Sequence, residues 1–439
     1  MTLIPTPPQI DTTLFRNDAK DREAKYGLPQ DVKFCKRCII SNQRPSSSIE
    51  FKNAASDRKS TISLDDEGIC DACRVTEQKA TTDWDAREQE LRELCDRHRR
   101  TDGAYDCIVP GSGGKDSFYA SHILKYKYDM HPLTVTWAPH IYTDWGWRNF
   151  QRWIDSGFDN QLFTPNSRVH RLLTRLAMDV LLHPFQAFIL GQKNLAPKMS
   201  ALYKVPLVFF GENEAEYGNA KTDAAKPMRD ASYYSASNYD DMRLGGVDIG
   251  ALENDFGIHR SELTPYLPAN PNALAEVGTE VHYLGYYLKW HPQSCYYYAQ
   301  EHGGFEPSPE RTPGTYSKYN SIDDRIDDFH YYTTHIKFGI GRATYDAAQE
   351  IRSEDIVRDE GVALARRYDG EFPERFFEEI LQYLSISENE FPVASKMFEQ
   401  PIMNRDYFNR LCDNFRSPHL WSYENGTWAP RHTVWNDNA

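Results

Sequence analysis

The 439-residue chain lacks three features that would place it in common functional classes. It has no surplus of basic residues, since 64 acidic and 50 basic residues give a formal charge of −14. A long nucleic-acid footprint needs clustered lysine and arginine, so this balance disfavours nucleic-acid binding. Apolar runs such as Val205–Phe210 are too short to span a bilayer, and residues 1–13 contain no apolar signal core. We therefore expect a cytoplasmic protein with no membrane or nucleic-acid partner.

Cysteine is scarce as well, but half of the eight cysteines are grouped. Cys35 and Cys38 form one Cys-x-x-Cys pair, and Cys70 and Cys73 form another. Each pair can clamp a metal ion, and two pairs complete a tetrahedral thiolate set without an open position, which is typical of structural zinc. We predict a structural Zn²⁺ site, with a redox pair or an iron–sulfur cluster as the alternatives.

Glycine is concentrated in one informative segment, Gly111-Ser112-Gly113-Gly114-Lys115-Asp116-Ser117, between a strand-like run and a helix-like run. Glycines let backbone N–H groups turn toward one point, and the following helix directs its positive end there. Lys115 adds a cation, and Ser112 and Ser117 add hydroxyl donors. The segment is not a Walker A loop, because aspartate follows the lysine. We predict a polyphosphate site; the alternative is a glycine-rich turn that caps an ordinary helix.

Apolar runs and helical stretches alternate between about residues 104 and 210. This alternation predicts an α/β fold with a parallel sheet flanked by helices, whose ligands collect at the carboxyl ends of the strands. The expected organisation is an N-terminal arm (1–33), a Cys₄ zinc-binding module (34–80), a linker helix (81–103), an ATP-binding α/β domain (104–350) with an insertion at about 215–275, and a helical C-terminal region (351–439).

Polar residues follow the apolar run Val205–Phe210, which reads as a buried strand. The ligand crevice should therefore be faced by the polar residues of this segment, Glu212, Asn213, Glu216 and Tyr217. We predict that these four side chains contact the substrate.

Two further segments carry charges suited to a phosphate site. Lys337-Phe338-Gly339-Ile340-Gly341-Arg342 offers two cations that could stabilise a leaving pyrophosphate, although it could equally be a solvated helix start. The acidic run Asp323–Asp328 could coordinate Mg²⁺ or orient sugar hydroxyls. Alternatively, it forms a charged helix face with internal ion pairs around Arg325.

Together these segments resemble the N-acetyl sugar amidotransferases of bacterial surface-polysaccharide biosynthesis, within the PP-loop ATP pyrophosphatases (adenine nucleotide alpha hydrolase-like). The resemblance covers about residues 34–380. The matching segments are Phe34–Cys38, Gly68–Cys73, Ser112–Ser117, Gly211–Asn213 with Glu216–Gly218, and Lys337–Arg342.

The resemblance implies an enzyme that uses ATP and Mg²⁺ to adenylate the N-acetyl oxygen of a nucleotide-linked or uronic sugar. Ammonia then displaces AMP and leaves an acetamidino group, as in lipopolysaccharide or O-antigen biosynthesis. A glutaminase subunit and a barrel-like synthase subunit would supply the ammonia. The implied catalytic residues are Lys115, Asp116 and Arg342, and the implied ATP-binding residues are Ser112, Gly113, Gly114, Lys115, Asp116, Ser117, Lys337 and Arg342.

Two other functions would also use an adenylating loop. An RNA-modifying PP-loop enzyme similar to tRNA thiolases would explain the cysteines, but the acidic balance counts against it. A non-catalytic nucleotide sensor would have no use for the complete Ser112–Ser117 segment together with the cations at Lys337 and Arg342.

Overall fold

A parallel five-stranded sheet forms the centre of the computed structural model, which describes residues 6–212, 226–386 and 401–436. Its strands are β1 (Cys107–Pro110), β2 (Pro132–Trp137), β3 (Asp159–Phe163), β4 (Leu207–Phe210) and β5 (Glu280–Tyr283). Their spatial order is β3-β2-β1-β4-β5, and every pairing is parallel. The predicted α/β class and parallel sheet are thus confirmed.

The strands have apolar residues on both faces, as expected when helices cover a sheet on both sides. In β1, Ile108 faces one apolar cluster, whereas Cys107 and Val109 face another. The same alternation places Val208 of β4 in the first cluster and Phe209 in the second. Because the order of the strands reverses at β1, the crevice for ligands lies at its carboxyl end.

Helices surround this sheet and make up most of the rest of the fold. Their bounds are Asp71–Ala80, Trp84–His98, Lys115–Tyr126, Asp144–Asp155, Ser167–Leu181, Gln186–Tyr203, Ile249–Asn254, Arg260–Leu263, Pro271–Val277, Leu284–Tyr287, Pro292–Gly303, Asp327–Phe338, Arg342–Arg352, Arg358–Tyr368, Phe377–Leu384 and Arg405–Phe415.

The described part of the expected insertion, residues 226–275, packs into the main core. It contains a small antiparallel pair, Arg243–Leu244 with Val247–Asp248, and buried side chains such as Leu252 and Tyr266. It connects β4 to β5, a strand that the sequence did not predict. The polar composition of this segment predicted an insertion, whereas its described residues connect two strands and pack onto the sheet.

The N-terminal segment packs against the C-terminal part of the chain. Phe15 is 2 % exposed and meets the ring of Trp428 edge-on, with ring centroids 4.8 Å apart. Trp428 lies in an antiparallel hairpin formed by Trp421–Glu424 and Thr427–Pro430. Burial of these few apolar side chains holds an otherwise polar segment in place.

The cysteine segment shares an apolar core with two later helices. Ile39, Ile40 and Ile62 pack with residues of the helices Arg342–Arg352 and Arg358–Tyr368. This segment therefore does not depend on a metal ion alone for its burial, because the body of the protein supplies the other half of its core.

Candidate functional site

The glycine-rich loop leaves the carboxyl end of β1 and leads directly into the helix Lys115–Tyr126. Gly113 has a φ of +85°, and a Cβ there would lie 2.6 Å from Cα of Phe150. At Gly114, by contrast, a Cβ would approach nothing more closely than 3.7 Å, to Oγ of Ser112. The loop is thus tightly packed where a side chain of Gly113 would be and open where a side chain of Gly114 would be, so a ligand can approach the backbone at Gly114.

Lys115 is the first residue of this helix and is only 6 % exposed. Its Nζ lies 2.6 Å and 2.8 Å from the two carboxylate oxygens of Asp116. Burial lowers the pKa of Lys115, but the charge and hydrogen bond of Asp116, together with the charges of Cys295 and Glu212, more than offset this effect, so its pKa lies above its ordinary value. Lys115 is therefore a charged side chain on the wall of a cavity.

That cavity has a volume of about 770 Å³, enough for a nucleotide and a second small molecule. The glycine-rich loop forms one wall of it, and residues between the two cysteine pairs form another. The charged residues on its walls are Arg44, Glu50, Asp57, Lys59, Lys115, Asp116, Lys193, Glu212, Arg229, Asp323, Asp324, Asp327, Lys337, Asp346 and Arg352.

The predicted acidic run faces this cavity and is not a solvated helix face. Asp324 and Asp327 are 4 % and 6 % exposed. Burial raises the pKa of Asp323, although a hydrogen bond with Ser112 opposes this, and it drives the pKa of Asp327 well above its ordinary value. The interpretation as ion pairs within the run is wrong, because Arg325 instead pairs with Glu379.

Asp324 is fixed in place by residues that follow β2. Its carboxylate accepts hydrogen bonds from the backbone N–H of His140 and is 2.7 Å from Nδ1 of the same residue. Asp323 and Asp327 remain directed at the cavity beside the glycine-rich loop. Within the described ranges, only the cysteines bring three or more metal-binding atoms within 4.8 Å of one another, so a magnesium ion here would need water or phosphate oxygens as further ligands.

Lys337 and Arg342 lie in different environments. Lys337 lines the cavity, is 8 % exposed, and donates a 2.7 Å hydrogen bond to the carbonyl of Leu181. Burial, together with the charge of Lys59, lowers the pKa of Lys337 to about 7. The predicted segment is therefore the end of one helix and the start of the next, and its lysine is buried rather than solvated.

Arg342 is not among the residues that line the cavity. It is 2 % exposed, and its guanidinium group donates to the carbonyl groups of Asn320 and Ser321, the latter at 3.2 Å. It also lies over the ring of Tyr331, 4.1 Å from the centroid. Its position does not support the predicted direct contact with phosphate, and Arg342 instead holds the loop that precedes the acidic run.

The predicted substrate residues are only partly described. Glu212 follows β4 and lines the cavity, as does Gly211. Asn213, Glu216 and Tyr217 lie outside the described residues. The expected position of Glu212 at the carboxyl edge of the sheet agrees with the geometry, and its role with a substrate stays a prediction.

The four paired cysteines form a buried cluster. The sulfur atoms of Cys35 and Cys73 are 3.8 Å apart, and those of Cys38 and Cys70 are 3.7 Å apart. Tetrahedral coordination with Zn–S bonds of about 2.3 Å requires sulfur atoms about 3.8 Å apart. The cluster could therefore bind zinc.

The sequence did not predict several other residues that line the cavity. Ser46, Asn53 and Lys59 come from the polar segment between the cysteine pairs. His183 lies in the connection between the helices Ser167–Leu181 and Gln186–Tyr203, and His330 lies in the helix Asp327–Phe338. No motif links these residues along the chain. The only signal was that the segment between the cysteine pairs is long and rich in serine and lysine.

None of the helices described is both long enough and apolar enough to cross a membrane.

Residues 313–433 match the family model described as "LPS biosynthesis protein WbpG-like, C-terminal domain". The match includes the acidic run, Lys337 and Arg342, but it begins at residue 313 and so does not include the glycine-rich loop. A 77-residue stretch is 34 % identical to the uncharacterized protein MJ1599 of Methanocaldococcus jannaschii; it covers 18 % of this chain and 27 % of that protein. The C-terminal match connects this part of the chain with lipopolysaccharide biosynthesis.

Proposed function

We propose that this protein is an ATP-dependent, AMP-forming amidotransferase that converts the N-acetyl group of a sugar into an acetamidino group during surface-polysaccharide biosynthesis. The observation that carries the proposal is one cavity shared by two parts of the chain. The glycine-rich loop with Lys115 forms one side, and the lipopolysaccharide-related segment 313–433 contributes Asp323, Asp327 and Lys337 to the other.

The chemistry requires an activated amide, because an amide oxygen is a poor leaving group. The amide oxygen attacks the α-phosphorus of ATP, the bond from that phosphorus to the bridging oxygen breaks, and pyrophosphate leaves. Ammonia then adds to the amide carbon, loses a proton, and displaces AMP together with the former amide oxygen. The products are the amidine, AMP and pyrophosphate.

The loop and Lys115 would hold the phosphates during this transfer. The helix Lys115–Tyr126 begins directly after Gly114, which has open space where a side chain would be, and no side chain caps its first N–H groups. Phosphate oxygens could accept from these groups, and the cation of Lys115 beside them would stabilise the charge that develops on pyrophosphate. Asp116, Asp323 and Asp327 line the same cavity and are the residues that would hold Mg²⁺, which would neutralise phosphate charge. Catalysis would thus depend on positioning and charge stabilisation.

An external ammonia source fits the state of the cysteines. None of the eight lines the cavity, and all are buried. Burial raises the pKa of Cys95 and of Cys412 to about 12, which keeps both thiols protonated and unreactive. A cysteine-dependent glutaminase activity within this chain is therefore disfavoured, and a separate glutaminase subunit, with a barrel-like synthase subunit, is the proposed supplier.

The test is release of AMP from ATP by the purified protein with ammonium and a panel of nucleotide-linked N-acetyl sugars. We expect turnover that depends on both ammonium and the sugar. Turnover stimulated by tRNA instead would favour the RNA-modifying alternative, and an absence of AMP over the whole panel would refute the amidotransferase assignment.

A further inference from the structure

Three lysines from separate elements surround one end of the cavity. Lys59 comes from the segment between the cysteine pairs, Lys193 from the helix Gln186–Tyr203, and Lys337 from the end of the helix Asp327–Phe338. All three contribute to lowering the pKa of His183 to about 3, although burial is the largest cause. Their charges therefore converge on one region of the wall.

Two of these lysines have no acidic partner within ion-pair distance in the parts of the chain that the structure describes. Lys337 donates to the carbonyl of Leu181 at 2.7 Å, and Lys59 donates to Oδ1 of Asn53 at 2.6 Å. Lys193 lies 4.0 Å from Glu50, which is a weak pair. Of the three, Lys337 is buried, whereas Lys59 and Lys193 are half-buried. A buried ammonium group without a carboxylate, as at Lys337, is costly unless it loses its proton or a ligand supplies the negative charge.

This lysine cluster is separate from the glycine-rich loop. Charge interactions at Lys115 arise from Asp116, Cys295 and Glu212, whereas the charge acting on Lys337 is that of Lys59. The loop thus has a carboxylate beside its lysine, whereas the positive charge of Lys59 repels that of Lys337. An anionic group bound there would relieve this repulsion.

We propose that Lys59, Lys193 and Lys337 form a second anion-binding subsite, which holds a phosphate or carboxylate group of the acceptor sugar while ATP occupies the glycine-rich loop. The assignment of the anion to the acceptor rests on the proposed function. The subsite explains why the segment between the cysteine pairs forms a wall of the cavity: it brings Lys59 to the acceptor.

Binding of an anion at this subsite should be accompanied by uptake of a proton by the protein, which can be measured. The other titratable groups on the wall near Lys337 include His183, His330, Glu50, Asp57, Tyr26 and Tyr331. Burial holds the pKa of His183 and of His330 far below neutrality, so these imidazoles stay neutral. With the pKa of Lys337 near 7, its amine is mostly neutral at about pH 8, and an anion should draw up to about one proton onto it.

The experiment is titration calorimetry at pH 8 in buffers of different ionisation enthalpy. The protein is first saturated with α,β-methylene-ATP, in which the bond that the reaction would break cannot be cleaved. The probes are uridine diphosphate, which offers a diphosphate, and glucuronate, which offers a carboxylate. We expect one of them to bind with proton uptake, and which one binds identifies the source of the anion.

Lys337→Met and the more polar Lys337→Gln should weaken that probe about tenfold or more and abolish proton uptake. Lys198→Met is the matched control, because Lys198 is half-buried and also donates at 2.7 Å to a backbone carbonyl, that of Thr264, but lies off the cavity. Equal binding by wild type and both Lys337 variants, or binding of neither probe to wild type, overturns the subsite. Normal probe binding without AMP release in the turnover assay overturns the proposed function alone.

Discussion

Replacing Lys115 with methionine tests the glycine-rich loop most directly. Methionine keeps much of the volume of the lysine stem but removes the charge. The side chain is 7 % exposed and its partner Asp116 is 33 % exposed, so the carboxylate left behind keeps access to water. We therefore expect the free energy of unfolding to change by only about 1 kcal/mol.

The effect on nucleotide binding should be much larger. A hydrogen bond to a charged group contributes about 1.5–3 kcal/mol, and about 1.4 kcal/mol corresponds to a factor of ten in affinity. Loss of the Lys115 ammonium should thus weaken α,β-methylene-ATP binding by about 10- to 150-fold. AMP release should fall at least as much, since the same cation would stabilise the departing pyrophosphate.

The assay is calorimetric binding of α,β-methylene-ATP together with chemical denaturation of the same preparations. Lys125→Met is the matched control, because Lys125 lies in the last turn of the same helix and bonds to the carbonyl of Gly157, away from the cavity. A Lys115→Met protein that binds within about twofold of wild type at unchanged stability would refute the assignment of the loop to phosphate.

Three other predictions concern the loop, the metal and pH. Gly113→Ala should lower the free energy of unfolding by about 1–3 kcal/mol in denaturant titrations, because Gly113 has a φ of +85° and a Cβ there would approach Phe150. Gly114→Ala should lower the free energy of unfolding clearly less, and equal losses for the two variants would contradict the packing described. Cys70→Ser should abolish binding of one zinc ion per chain in elemental analysis, and iron in anaerobically purified wild type would contradict the zinc assignment. Burial raises the pKa of Asp369 from 3.8 to about 7, so its contribution to stability is present below about pH 4 and is lost as pH rises to about 7. Asp369→Asn should remove this loss of unfolding free energy between about pH 4 and pH 7. Parallel curves of unfolding free energy against pH for the two proteins would contradict the prediction.

Local patterns predicted the sheet well. The apolar run Val205–Phe210 contains β4, Leu207–Phe210, and a helix follows the glycine-rich loop directly, as expected. One face of the helix Phe377–Leu384 is apolar, with Phe377, Ile380 and Leu384 at helical spacing, and all three are buried. These features depend on residues close together in the chain, where periodicity is a reliable guide.

The far side of the cavity could not be predicted in this way. Lys59, Lys193 and Lys337 meet only because three distant elements pack together, and no spacing along the chain records that meeting. For Arg342 the sequence predicted a contact that the structure does not show. It was expected to bind phosphate, but it does not line the cavity and bonds to backbone carbonyls instead. Tyr26 was likewise unexpected on the cavity, because the sequence predicts only an N-terminal arm for residues 1–33.

The segment between Cys38 and Cys70 is closed into a ring by the cysteine cluster, and part of that ring, including Ser46 and Lys59, is cavity wall. A metal ion held by the cysteines and a molecule bound at Lys59 would thus share one stretch of backbone. If an occupied metal site tightens binding of a molecule at Lys59 by some factor, that molecule must tighten metal binding by the same factor. A zinc-depleted protein would then show weakened affinity for its acceptor before any loss of fold, and a saturating acceptor would slow removal of the metal by a chelator.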